Sequence, residues 1–280
     1  MTRTPERPHL AAPDLPGLLV DPSWLEGRLG VPGLHVVDLR DADVYESGHI
    51  PGAVRLDLAD LGTSMGGLDN VLLSPEAFAN LMASSGISSG DAVVVYDDQW
   101  GLAAARLVWG LHRHGHTAVA VLDGGWDRWS AEGRPVGEGP ETEAPPAGAR
   151  FEAAANADVY ADRLWIAERL DGEGAVLLDT RTRAEFEKGH LPGAVSWDWF
   201  NAVPPDSWNV SRDLEELRAE WRSLGLDVSD EVIVYCRTGM RAAHTYLVLR
   251  SAGFSRVRLY DGSWQEWSMR SMKSEGAGGD

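Results

Sequence analysis

A single cysteine, Cys236, is all the thiol that this chain of 280 residues possesses. No intramolecular disulfide can form, a zinc site would need histidine and carboxylate ligands alone, and the thiol is free for chemistry. Positive charge is also scarce. Twenty-five Lys and Arg stand against 43 Asp and Glu, a formal charge of −18, which sets the surface against nucleic acid and anionic lipid and leaves a small anionic substrate in need of a locally cationic site. No run of about 18 apolar residues occurs, so no membrane-spanning segment is expected. The opening MTRTPERPHLAAPD is broken by proline and has no apolar stretch behind its arginines, so it does not read as a secretory signal, and a cytoplasmic location is expected.

What the chain does contain is a repetition. Residues 38 to 57 read DLRDADVYESGHIPGAVRLD and residues 179 to 198 read DTRTRAEFEKGHLPGAVSWD. Length and a 44% hydrophobic content suffice for two domains with separate cores. The expected division is a first domain over 14–132, a linker over 133–150 and a second domain over 151–272. The linker is placed in EGRPVGEGPETEAPPAGA (Glu132 to Ala149), whose proline, glycine and acidic content suits a solvated, extended connector. Residues 1 to about 15 and the terminal SEGAGGD offer little to pack and are expected to be mobile.

In each half, short β-branched runs (LHVVDLR, AVVVYDD and AVAVLDGG, then AVLLDTR, EVIVYCR and RVRLYDG) alternate with segments of helical spacing. Continuous apolar strands interleaved with helices predict an α/β fold, a parallel sheet covered on both faces, in each domain. VVVYDD from Val93 matches VIVYCR from Val232 and sets Asp97 opposite Cys236, so one copy carries the nucleophile and the other lacks it. The segment AAHTYLVLRSAG from Ala242 predicts a helix, with Ala243, Leu247 and the stem of Arg250 on related faces and Gly253 as its terminating residue. Cys236 thus sits between a strand's carboxyl end and a helix N-terminus, where active sites of open parallel sheets gather.

In Cys236, Arg237, Thr238, Gly239, Met240 and Arg241, the glycine lets the backbone fold into a cradle of inward-facing amides that binds an anion. An ordinary thiol with a pKa near 8.5 is only about 3% ionised at pH 7, and making it mostly thiolate takes roughly 2.7 kcal/mol. A helix N-terminus supplies about 0.3 to 1 kcal/mol. Arg237 and Arg241 are the expected source of the rest, and both can grip a small oxyanion. The plain alternative, a small core cysteine, is disfavoured by this electropositive and partly exposed setting.

These residues resemble the rhodanese sulfurtransferases, in the tandem form with an inactive first copy and an active second one. The resemblance spans nearly the whole chain. It rests on the DxR of Asp38 to Arg40 and Asp179 to Arg181, on GHIPGA at Gly48 and GHLPGA at Gly189, on YCRTGMR, and on LDGGW at Leu122 and YDGSW at Tyr260. It implies ping-pong sulfur transfer through a Cys236 persulfide, from a small anionic sulfur donor to a nucleophilic acceptor such as cyanide or a thiol, with no metal or organic cofactor.

Arg237 agrees with the thiosulfate-using members. Thr238 replaces the lysine of that pattern and leaves a hydroxyl where mercaptopyruvate-using members carry serine; on the strength of Arg237, thiosulfate is the favoured donor and 3-mercaptopyruvate the alternative. In the latter group an aspartate and a histidine of the first domain assist that serine, and Asp38 and His49 match their positions. Because the histidine recurs as His190 in the second copy, holding a turn is the stronger reading for both. Arg181 and Arg183 follow a strand end and are accessory candidates for donor binding. Arg181 recurs as Arg40, which favours a structural ion pair, and Glu185 stands where some thiosulfate enzymes place a substrate arginine. Trp126, Trp129, Trp264 and Trp267 follow the repeated pattern and read as packing residues. Trp100, in the loop replacing the cysteine cradle, reads equally well as facing the interdomain cleft or as an ordinary interface contact.

Two rivals remain open: a cysteine-dependent phosphatase, disfavoured by the four residues between Cys236 and Arg241 where those enzymes have five, and a non-enzymatic sulfur carrier or sensor module.

Overall fold

The computed structural model describes residues 13–140, 148–170 and 174–276. In the first half the elements run β1 (Leu19–Val20), α1 (Pro22–Glu26), β2 (Leu34–Asp38), α2 (Ala42–Ser47), β3 (Ala53–Arg55), β4 (Gly62–Met65), β5 (Leu68–Leu72), α3 (Pro75–Ser84), β6 (Ala92–Tyr96), α4 (Leu102–Arg113), β7 (Val119–Leu122) and α5 (Gly125–Ala131). In the second they run β8 (Tyr160–Ala161), α6 (Arg163–Ala167), β9 (Val176–Asp179), α7 (Arg183–Glu187), β10 (Val195–Ser196), α8 (Leu214–Ser223), β11 (Glu231–Tyr235), α9 (Met240–Ser251), β12 (Arg256–Tyr260) and α10 (Ser263–Gly276).

Both large sheets are parallel and share one strand order, β1-β7-β6-β2-β3 in the first half and β8-β12-β11-β9-β10 in the second. The central strands are buried along nearly their whole length, as a parallel sheet covered on both faces requires. Among the described residues only the first half carries an antiparallel pair, β4 and β5, and that hairpin reaches the other domain, where the Asp69 amide donates to Gln265.

The sequence motifs that recur at a distance form one bracket per domain. Arg40 grips Asp38 through Nε and Nη2 (2.6 to 3.1 Å) and donates to the Gly48 carbonyl at 2.7 Å, with Trp126 stacked 4.1 Å from its guanidinium. Arg181 does the same with Asp179, Gly189 and Trp264. A Cβ on Gly48 or Gly189 would meet the tryptophan ring at 3.1 and 2.8 Å, so glycine is needed for the ring to close over the ion pair. His49 and His190 direct Nδ1 to the carbonyls of Tyr45 and Phe186 and stack on those rings.

Helix α9 departs from the expected one-sided pattern. Every residue from Ala242 to Leu249 is buried, because the helix lies between its own sheet and α4 of the first domain, and a helix enclosed on all sides shows no apolar stripe. Gly253, with φ +94°, follows the helix end as expected.

The described ends of the connector also differ from a solvated linker. Gly137 bridges to His49, Pro135 accepts the Trp129 indole N–H, and the amides of Arg150 and Glu152 bond Ser88 and Ser89. Phe151 packs into the first domain against Phe78 and His116. Residues 141–147, the middle of the expected linker, lie outside the described residues, as do residues 1–12 and 277–280 of the two ends. Helix α10 continues through Gly276, so the first three residues of SEGAGGD are helical rather than loose. Among the described residues no helix is long and apolar enough to cross a membrane.

Candidate active site

Cys236 directly follows β11, and its loop leads into α9, whose N-cap is Gly239 with φ +89°. The glycine amide donates to the Cys236 sulfur at 3.2 Å. Gly239 has no side chain to cap the helix, and the amides of Met240, Arg241 and Ala242 have no acceptor among the described residues. Open amides at the N-terminus of a 12-residue helix form an anion site. The strand end is fixed by the closing DGSW motif: the Cys236 amide donates to Ser263 Oγ at 3.2 Å, and the Trp264 amide donates to the Cys236 carbonyl at 3.0 Å. Ser263 and Asp261, which bonds Arg106 and the Leu72 amide of the first domain, both lie in YDGSW, the motif whose repetition is the sequence signal for them.

The surroundings of the sulfur differ from expectation in three respects. Cys236 is 1% exposed rather than partly exposed, because it is packed into the buried apolar cluster that also holds Val232, Val234, Ala242 and Ala243. Arg241 is not a free cation: Glu185 takes Nη1 at 2.7 Å and Nη2 at 2.9 Å. The Glu185 hydrogen bonds raise the Arg241 pKa above its ordinary value, burial opposes them, and the neighbouring Cys236 side chain adds a smaller upward push. Glu185 is in turn held down to about 2, chiefly by Arg241. Third, the Arg237 side chain is exposed and its guanidinium has no hydrogen-bond or ion-pair partner among the described residues, while its carbonyl accepts the Gln265 amide. Only one of the two arginines therefore neighbours the sulfur, and its charge is shared.

The position of Glu185 has a local cause. It closes a capping box on α7, accepting from the amide and hydroxyl of Thr182 while Thr182 Oγ1 accepts the Glu185 amide. This places the carboxylate beside the cysteine loop. Thr182-x-x-Glu185 was a readable capping signal, but its contact with Arg241 spans 56 residues and no local pattern reports it.

Of the accessory candidates, Arg181 and Asp38 are spent on the buried ion pairs described above and are unavailable to a donor. His49 holds its turn. Arg183 lies on the surface with Glu187 at 2.8 Å. Thr238 joins the site through its carbonyl, which accepts from Asn70 Nδ2 of the first domain at 3.0 Å. Trp100 does face the other domain: its ring packs edge-on to Phe200, and its carbonyl lies 3.1 Å from His244 Nε2. Burial lowers His244, and likewise His112 at the same interface, to about 4.

In the first domain Asp97 occupies the cysteine's place, and its own loop closes around it. Oδ1 accepts the amides of Gln99 and Gly101 at 2.9 and 2.8 Å, and Oδ2 accepts that of Ala104 at 2.9 Å. Burial raises its pKa, while those amides oppose the rise.

A thiol set into a helix-capping anion cradle, in one half of a duplicated α/β chain, defines a class of protein with one equipped and one self-closed domain. The chain belongs to the rhodanese-like domain family, whose model matches residues 21–132 and 162–270. It is 39% identical to a protein of Corynebacterium glutamicum named thiosulfate sulfurtransferase, with 90% of this chain and 88% of the relative covered. It is 34% identical to a Thermus thermophilus protein named sulfur carrier protein TtuD, covering 90% and 94%. The crystal structure of SseA from Escherichia coli, described in terms of 3-mercaptopyruvate sulfotransferases, superposes with a TM-score of 0.80 at 29% identity, covering 89% of this chain and 99% of that one.

Proposed function

We propose that this protein is a sulfurtransferase that moves a sulfane sulfur from thiosulfate to cyanide or a thiol through a persulfide on Cys236. The observation that carries the reading is the sulfur of Cys236 accepting the Gly239 amide at 3.2 Å, next to helix amides that have no acceptor. In the first half-reaction the thiolate attacks the sulfane sulfur, a new S–S bond forms, the bond to the sulfonyl sulfur breaks, and sulfite leaves with the electron pair. In the second the acceptor attacks the outer sulfur and Cys236 departs as thiolate, so no external oxidant or reductant is needed. The amides of residues 240–242 are suited to the negative outer sulfur of the persulfide. Arg237, free and exposed, is placed to attract the donor anion against the −18 background.

The relative named thiosulfate sulfurtransferase supports thiosulfate as donor, and the likeness to SseA supports 3-mercaptopyruvate as the alternative. One observation favours a second reading, a sulfur carrier loaded by a partner: Glu185 neutralises the guanidinium nearest the sulfur and thereby weakens the site for a small dianion. A cytoplasmic location fits either reading, since a reducing compartment keeps a lone thiol unpaired. Purified protein incubated with thiosulfate or 3-mercaptopyruvate should gain about 32 Da on Cys236, one sulfur as persulfide, and release thiocyanate with cyanide. Loading only from a partner's persulfide would instead favour the carrier. Hydrolysis of p-nitrophenyl phosphate without thiocyanate formation would replace both with a phosphatase.

A further inference from the structure

The cysteine loop of the second domain is held from the first. Asn70, in β5 with φ +57°, sends Nδ2 across the interface to the Thr238 carbonyl at 3.0 Å. Arg106 of α4, fully buried, donates from Nη1 to Asp261 Oδ1 at 2.7 Å and from Nη2 to the Asn70 carbonyl at 2.6 Å. Asp261 Oδ2 accepts the Leu72 amide at 2.9 Å. This cross-domain ion pair is pressed against Gly239, where a Cβ would lie 2.8 Å from Arg106 Nη1 and 2.9 Å from Asp261 Oδ1.

The Thr238 carbonyl and the Gly239 amide belong to one rigid, planar peptide unit and point in opposite directions. A donor fixed on the carbonyl therefore fixes the direction of the N–H, and that N–H is the one aimed at the Cys236 sulfur. A hydrogen bond accepted by a peptide oxygen also polarises the N–H at the other end and strengthens what it donates.

The reciprocal contact has a different chemistry. His244 occupies in α9 the position of Arg106 in α4, four residues after the first of the helix, and reaches the Trp100 carbonyl of the Asp97 loop. Asp123 accepts the Val210 amide as Asp261 accepts that of Leu72. The loop bearing the thiol thus receives the side-chain amide of Asn70, with the Arg106 guanidinium packed against Gly239 and holding the Asn70 carbonyl, whereas the closed loop receives an imidazole.

We infer that Asn70 and Arg106 of the cysteine-free domain are positioning residues for the sulfur chemistry, aiming and polarising the Gly239 amide at Cys236 through the Thr238–Gly239 peptide. The inference rests on the sulfurtransferase reading for its function but not for its first measurement.

That measurement is the rate of Cys236 alkylation by iodoacetamide against pH, with intact protein. Asn70→Gly keeps the left-handed backbone and removes the donor, and Asn70→Asp keeps the size and removes it. Both variants should move the midpoint of the alkylation profile to higher pH and slow persulfide formation from thiosulfate several-fold, with kcat/KM for cyanide unchanged. Arg106→Met paired with Asp261→Leu replaces the buried ion pair by apolar contact and should give the same signature in a folded protein. Variants that lower the melting temperature while leaving the alkylation profile and loading rate unaltered overturn the inference. A shifted profile in a protein that never accepts sulfur from any donor would keep the positioning role and discard the sulfurtransferase reading.

Discussion

The loops at Asp97 and Cys236 leave equivalent central strands and enter equivalent helices through a left-handed glycine, Gly101 or Gly239, yet they treat their amides in opposite ways. The Asp97 loop is one residue longer, with three residues rather than two before its glycine, and its carboxylate accepts three amides, including one in the first turn of α4. The helix N-terminus there already holds its anion. Cys236 takes a single amide and leaves those of the following turn open. An anion-binding loop is available to a substrate only where the chain does not supply the anion itself, and one side chain with two acceptor oxygens is enough to close it.

The largest break of this comparison is Cys236→Ser, expected to lower sulfur transfer at least about a thousandfold and to eliminate the mass adduct. Adding Asp97→Cys to that variant should not restore thiocyanate formation, because the longer loop carries Ala103 at the position of Arg241; recovery would show that the two loops differ in the nucleophile alone. Next come the two ion-pair brackets. Arg40→Met and Arg181→Met each strand a buried aspartate and should cost about 3 to 5 kcal/mol in denaturant unfolding, and equal losses would confirm that the second copy spends its DxR arginine on structure as the first does. Asp97→Ala leaves three loop amides without their acceptor and should cost about 2 kcal/mol by the same measurement.

The pH dependence sharpens the interface side of the comparison. His112 and His244 are lowered from 6.5 to about 4 by burial, so between those values the unfolded chain binds more protons than the folded one. The stability associated with keeping them neutral is present above 6.5 and falls as pH drops towards 4, by up to about 1.4 kcal/mol per pH unit for each histidine. Melting temperatures across that range should fall less steeply for His244→Gln. The smallest effect belongs to Glu185→Gln, which releases the Arg241 charge and should lower the KM for thiosulfate several-fold in steady-state assays. An unchanged KM would mean that Arg241 does not meet the donor.

Much of this was legible along the chain. The duplication, the parallel α/β architecture and the placement of Cys236 between strand and helix followed from apolar runs, repeated motifs and Gly239, since each is a local property. Glu185 stands out in the sequence as a departure, but its partner does not, because a capping box reports its own helix and nothing 56 residues away. The burial of Cys236 has a related cause: an arginine-flanked sequence suggests exposure, whereas the thiol is enclosed by apolar residues of β11 and α9 that the flanking charges do not report. Arg106 looked like any helix residue until α4 was docked against α9.

By itself the sequence determined that there are two α/β copies and that the thiol belongs to the second, because strand pattern, glycine placement and residue identity are written in consecutive positions. Only the tertiary structure decided which charged and polar groups surround that thiol. The pairs concerned, Arg241 with Glu185, Arg106 with Asp261 and Asn70 with Thr238, lie 56, 155 and 168 residues apart, and two of the three exist only once the domains have packed. Their energies depend on burial and direction, which no single stretch of chain sets.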